Sequence, residues 1–143
     1  MKRVLFCLLL VSAFITMTSC GSTSKTSKAS IAQLNGKWNI VEVKGDKITK
    51  EKKPYIEFNV AENKVHGNGG CNMFNTVMIP NEKDVSAFNL RAAATTMMAC
   101  PDMEMEGVVM KSLESVAGVK PGSSANELQL IDKDGKTVFV LSK

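Results

Sequence analysis

From residue 37 to residue 141 the chain is cut by turn signals into short runs of alternating apolar and polar residues, and only one stretch has helical spacing. This pattern limits the possible folds more than any other feature. Lys37 to Val43, rich in Trp, Ile and Val, reads as a first strand, with Gly45-Asp46-Lys47 as a loop and residues 49–53 charged and exposed. Tyr55-Ile56-Glu57-Phe58-Asn59-Val60 alternates, so Ile56, Phe58 and Val60 should face a core while Glu57 and Asn59 face out. A turn at residues 61–64 predicts a hairpin partner from Lys64 to about Gly67. Met73 to Ile79, Val85 to Leu90, Glu127 to Ile131 and Lys136 to Leu141 read as further strands, the last two joined by the hairpin turn Asp132-Lys133-Asp134-Gly135. Met103, Val109, Met110, Leu113, Val116 and Ala117 form the apolar stripe of one helix, opened by Pro101-Asp102 and ended by Gly118. Successive hairpins favour antiparallel pairing over βαβ units. The expectation is an α+β domain: a curled antiparallel sheet of six to eight strands, barrel-like but only partly closed, with one main helix packed on it.

The N-terminus sets the compartment. Met1-Lys2-Arg3 is basic, Val4 to Ile15 is apolar, and Met17-Thr18-Ser19-Cys20 follows. A basic start, a short apolar run and small residues before a cleavage point make a secretory signal. The apolar run has about 12 residues, where a membrane span needs roughly 20. Residues 17–20 resemble the lipobox of bacterial lipoproteins, in which the cysteine takes a diacylglycerol and becomes the first mature residue. Cys20 is therefore the expected lipidation site, with residues 1–19 removed. Burying acyl chains stabilises such an anchor by about 0.8 kcal/mol per methylene. Residues 20–30 carry no large apolar side chain and should form a tether, spanning roughly 17 Å on average and at most about 35 Å. The folded domain should occupy residues 31–143. No acidic run follows Cys20, so the expected location is the outer membrane, facing the periplasm.

Removing 19 of 143 residues leaves 124, the size of one domain. Lys2 and Arg3 leave with the signal, which lowers the formal net charge from +4 to +2. That is too weak, without clustered Lys or Arg among aromatics, to support nucleic-acid binding. A monomer is expected.

Cys7 leaves with the signal, so Cys71 and Cys100 remain in the domain. In an oxidising envelope an even pair reads first as a disulfide, whose loop of about 30 residues is worth roughly 3–4 kcal/mol. Two buried thiols are the alternative. A metal site would need more ligands than one histidine supplies, and no metal or cofactor is expected.

Three segments now matter together: Leu34-Asn35-Gly36-Lys37-Trp38, then Gly67-Asn68-Gly69-Gly70-Cys71-Asn72, then Thr96-Met97-Met98-Ala99-Cys100 followed by Glu106, Val109 and Leu113. In order and spacing they resemble the META domain family, the HslJ-like heat-shock lipoproteins, over roughly residues 31–143. That family shows L-x-G-x-W, G-x-x-G-C-N, and T-x-M-A-C with E-x-x-F-x-x-x-L. Val109 stands where the family has an aromatic. The resemblance implies an antiparallel barrel-like α+β domain in the envelope and an association with heat or envelope stress. It implies no agreed biochemical activity.

Candidate sites were weighed against simpler roles. Cys71 with His66 could suggest thiol chemistry, but no third orienting residue is evident, and a surface histidine beside a disulfide is the simpler reading. The glycines at 67, 69 and 70 could cradle an anion through backbone N–H groups, yet no helix begins there and no P-loop lysine follows. Methionines 73, 97, 98, 103, 105 and 110 could form an adaptable binding surface, but core filling together with chance exposure is favoured. Copper binding would want a regular Met-x-Met-Met motif, which is absent. Asp132 and Asp134 read as turn residues rather than calcium ligands, and Glu104 and Glu106 as charges at the helix start. The function expected is that of a non-catalytic, lipid-anchored envelope protein supporting stress tolerance by binding a protein or envelope component. The contact is expected around Gly67, Gly70, Asn72, Thr96 and Met98. The alternative is an inhibitor of an envelope hydrolase, whether a protease or a lysozyme-like enzyme.

Overall fold

A computed structural model describes residues 28–49, 53–101 and 103–143. The signal segment, Cys20, most of the tether, part of the charged 49–53 loop and residue 102 at the expected helix start lie outside the described residues. No described helix is long and apolar enough to cross a membrane.

Ordered packing begins two residues before the expected boundary. Ala29 is buried, and Ser30 caps a 3₁₀ turn at Ile31–Leu34 in a capping box with Gln33. The strands are β1 (Gly36–Val43), β2 (Asp46–Lys47), β3 (Tyr55–Asn59), β4 (Lys64–Asn68), β5 (Met73–Pro80), β6 (Phe88–Leu90) and β7 (Ala94–Thr95). The helix α1 (Glu104–Leu113) follows, then β8 (Gly118–Pro121), β9 (Glu127–Ile131) and β10 (Thr137–Ser142). Strand order is β6-β5-β4-β3-β1-β10-β9-β8, with β2 on β1 and β7 on β5. All pairings between these strands are antiparallel.

The sheet curls until its two edges touch without forming a continuous ladder. Phe88 N–H donates to the Ala117 carbonyl at 3.1 Å, and Val119 N–H donates to the Ser86 carbonyl at 2.8 Å. Gly118 makes this seam possible, because a Cβ there would stand 2.8 Å from the Ser86 oxygen.

The sheet's inner face holds Phe58, Phe74, Phe88, Phe139, Ile40, Ile56 and Leu141, with Phe58 and Phe88 edge to face at 6.3 Å. Trp38 is the expected core anchor, and its indole N–H donates to the Leu34 carbonyl at 2.7 Å. Ile56 and Phe58 point inward as their alternation required, while Val60 is half-buried against the core. Gly67 lies where β4 passes between β3 and the Phe74 ring. A Cβ there would overlap the Tyr55 carbonyl and stand 2.6 Å from Phe74 Cζ. Gly67→Ala should therefore cost about 3 kcal/mol through overpacking, read as a lowered urea midpoint with an unchanged slope.

The ten described strands exceed the six to eight expected, and each miss has a local cause. The helix ends at Leu113 rather than running to Ala117, because Ser115 N–H and Oγ both bond the Ser112 carbonyl and close the turn. The chain then enters β8, where Val119 is buried against β9. The strand expected from Val85 starts only at Phe88, because Asp84 Oδ1 accepts from both the N–H and the Oγ of Ser86 and bends the chain. Two-residue strands such as β2 and β7 have no periodicity of their own to read.

The helix buries Val109 and Leu113. It also buries the Ser112 hydroxyl, which finds no partner among the described residues. An unsatisfied buried hydroxyl costs roughly 1–3 kcal/mol, and alanine is the better helix former. Ser112→Ala should raise stability by about 1 kcal/mol, and thermal unfolding would show this as an upward shift in Tm.

Candidate functional site

The turn between β4 and β5 is closed by its own side chains. Asn68 Oδ1 accepts from Gly70 N–H at 2.8 Å, and Asn68 Nδ2 donates to the Cys71 carbonyl at 3.0 Å. Gly69 N–H donates to the Asn72 carbonyl at 2.9 Å. Gly70 has φ +136°, a conformation that favours glycine. This geometry turns the next two backbone N–H groups toward α1. There, Glu106 accepts from Cys71 N–H at 2.9 Å and from Asn72 N–H on one oxygen, and from Asn72 Nδ2 at 2.7 Å on the other. Gly69 leaves room for this approach, since a Cβ would stand 3.0 Å from Glu106 Cγ.

Asn72 passes the connection on. Its Oδ1 accepts from Thr96 Oγ at 2.8 Å and from Met98 N–H at 2.7 Å. The amide orientation is forced, because the carboxylate on one side can only accept and the Met98 N–H on the other can only donate. Thr96 Oγ in turn accepts from Met73 N–H at 3.1 Å. A disulfide joins Cys71 to Cys100, with Cα atoms 6.3 Å apart. Three segments far apart in sequence thus form one polar unit.

Glu106 lies in the first turn of α1, as expected, and has a second role that the sequence reading missed. Read as a helix-start charge, it is buried, whereas Glu104 is exposed. Burial acts to raise its pKa. The donors from the Asn72 backbone and side chain and the Cys71 backbone outweigh that and hold it below the ordinary glutamate value. The glycine turn does cradle an anion, and the anion is the chain's own carboxylate.

The other candidates fall as follows. Gly67 and Asn72 are buried and not open to direct contact, whereas Gly70, Thr96 and Met98 are exposed. His66 Nε2 lies 3.3 Å from Glu57 Oε2 on the neighbouring strand. Cys71, held in the disulfide, offers no thiolate for the His66 pairing. Asp132 Oδ1 accepts from the N–H groups of Asp134 and Lys136, each at 2.9 Å, as a turn residue does. Among the described residues no group of three or more His, Cys, Asp or Glu could hold a metal ion.

Core filling accounts for three of the seven described methionines, and the other four are exposed. Met78 is buried and Met105 and Met110 pack partly against the core, but Met97 is 96% exposed, Met98 54%, Met103 41% and Met73 36%. The reason is the latch. Bonds from the Met98 backbone to Asn72 pin the segment along the rim and leave its side chains facing out. Met97, Met98 and Met103 line an open cleft of about 330 Å³ whose lining also includes Asn72, Thr96 and Glu106.

A family model described as META domain matches residues 15–143. No curated protein matches the chain. Two solved structures are similar to it. One is an NMR structure of a protein from Burkholderia xenovorans, at 15% identity and TM-score 0.57, covering 78% of this chain and 83% of that one. The other is a crystal structure of a DUF4847 family protein from Bacteroides vulgatus, at 16% identity and TM-score 0.51, covering 76% of this chain and 92% of that one. At these identities the likeness concerns the fold alone.

Proposed function

The chain belongs to the META domain family, and on that premise we propose that it is a non-catalytic, lipid-anchored envelope protein that binds a protein partner through its methionine-lined cleft. The observation that carries this reading is the group of four exposed methionines, at 73, 97, 98 and 103, on a base fixed by Glu106, Asn72 and the Cys71–Cys100 bond. Unbranched thioether side chains adapt to varied apolar surfaces. A fixed backbone beneath them loses little entropy on docking. The disulfide suits an oxidising compartment, and Cys20 supplies the anchor that holds the domain to the outer membrane, facing the periplasm. The protein acts as a monomer, and its binding supports tolerance of envelope or heat stress.

A photoreactive residue at position 97, with one at Lys133 as control, tests the reading in intact cells. The expected result is one discrete protein adduct from position 97 that Lys133 does not give. No adduct at 97, or the same adducts from both positions, would overturn it. If the captured protein is a hydrolase and the purified domain inhibits it, the role is inhibition. The anchor has its own check, since Cys20→Ala should abolish incorporation of labelled fatty acid.

A further inference from the structure

We propose that the cleft lined by Met97, Met98 and Met103 is a binding site for a soft monovalent metal ion, cuprous copper in particular. Three of the cleft's lining side chains end in thioether sulfurs, and none carries a positive charge. The described residues hold no cluster of His, Cys, Asp or Glu that would select zinc, calcium or magnesium. Thioethers are poor ligands for those ions and good ligands for Cu(I), which has no d-electron preference for a fixed geometry and accepts two to four soft donors.

Placement supports convergence. Met97 and Met98 are adjacent on a segment whose backbone is fixed by both Met98 bonds to Asn72. Met103 stands at the start of α1 and lines the same cleft. Each side chain has three rotatable bonds, which lets its sulfur sample positions within the shared cleft. The acids in the first turn of α1, Glu104 and Glu106, offset the positive end of the helix dipole, which would otherwise repel a cation. Met73 is excluded from the set, because its sulfur is turned to Asn68 Nδ2 at 3.5 Å and Tyr55 Oη at 3.8 Å. Leucine would cover the same apolar area without a donor atom, whereas these three positions share a soft sulfur donor.

The test is an anaerobic titration of the full-length protein in detergent, with Cys71–Cys100 oxidised and any free thiol alkylated. A chromophoric Cu(I) chelator serves as competitor. The native protein should withdraw one equivalent of Cu(I). Met97→Leu/Met98→Leu/Met103→Leu should abolish this, since no soft ligand of the set remains, while Met73→Leu leaves it unchanged. Ag(I) should shift the methyl NMR signals of the three cleft methionines and not that of Met78. Failure of the native protein to compete, retention of binding by the triple variant, or loss of it in Met73→Leu would overturn the assignment. In cells treated with a Cu(I) chelator, the native protein should still give the position-specific protein adduct from a photoreactive residue at Ala99. Metal binding and partner binding can thus fail separately.

Discussion

Glu106→Ala should destabilise the folded domain by about 3–5 kcal/mol, the size expected for losing charge-assisted bonds at roughly 1.5–3 kcal/mol each, offset in part by water reaching the vacated turn. Among the described residues, the carboxylate is the only acceptor for the Cys71 and Asn72 backbone N–H groups. Glu106→Gln is the sharper probe. Its oxygen could satisfy the two backbone donors, but its amide N–H₂ would then face Asn72 Nδ2. Rotating Asn72 to meet it would aim an N–H₂ at Met98 N–H. One clash remains in either arrangement, so glutamine should still cost about 1–3 kcal/mol near pH 7. The acid limb separates charge from shape. The folded pKa of Glu106 lies below its unfolded value. Its contribution is therefore fully present above the unfolded value, about pH 4.3, and is lost as pH falls through the lower folded value. Urea midpoints from pH 7 to pH 3 should fall less steeply in Glu106→Gln than in the native protein. A slope of the same sign should remain, because hydrogen bonds from Lys64 to Glu62 and from Ser86 to Asp84 lower those two pKa values as well. Equal slopes in the two proteins would remove Glu106 from the account of acid stability.

What the sequence made legible follows from what local patterns encode. β3, β4, β9 and β10 were readable because each has a period-two pattern beside a short turn, and Trp38 because a large aromatic in the first strand has few places to go but the core. β8 was hidden, since its four residues, Gly118 to Pro121, read as the end of the helix, and only pairing with β9 shows them as a strand. The latch was hidden for a related reason. Glu106 at the start of a helix is locally satisfied by the dipole, and its true role depends on a turn 34 residues away. The exposure of Met97 and Met98 was equally nonlocal, because hydrogen bonds to Asn72, not hydropathy, decide which way that segment faces.

Removing the disulfide should cost about 3–4 kcal/mol. The bond spans a sequence separation of 29, and the chain-entropy relation gives that range for a loop of this size. Cys71→Ala/Cys100→Ala should therefore lower Tm by about 10–15 °C for a domain of this length. The more informative result is how this loss combines with that of Glu106→Gln. The Cys71 backbone donates to Glu106 while its side chain holds Cys100, so each change releases the same turn. Once one brace is gone, the turn has already gained much of the freedom that the second would have denied it. The combined variant should lose less than the two separate losses added together, by roughly 1 kcal/mol or more. Losses that add within about 0.5 kcal/mol would mean that bond and carboxylate act on independent parts of the chain. The glycine turn would then be held twice over without being one unit, and the cleft above it would lack the rigid floor that both binding proposals require.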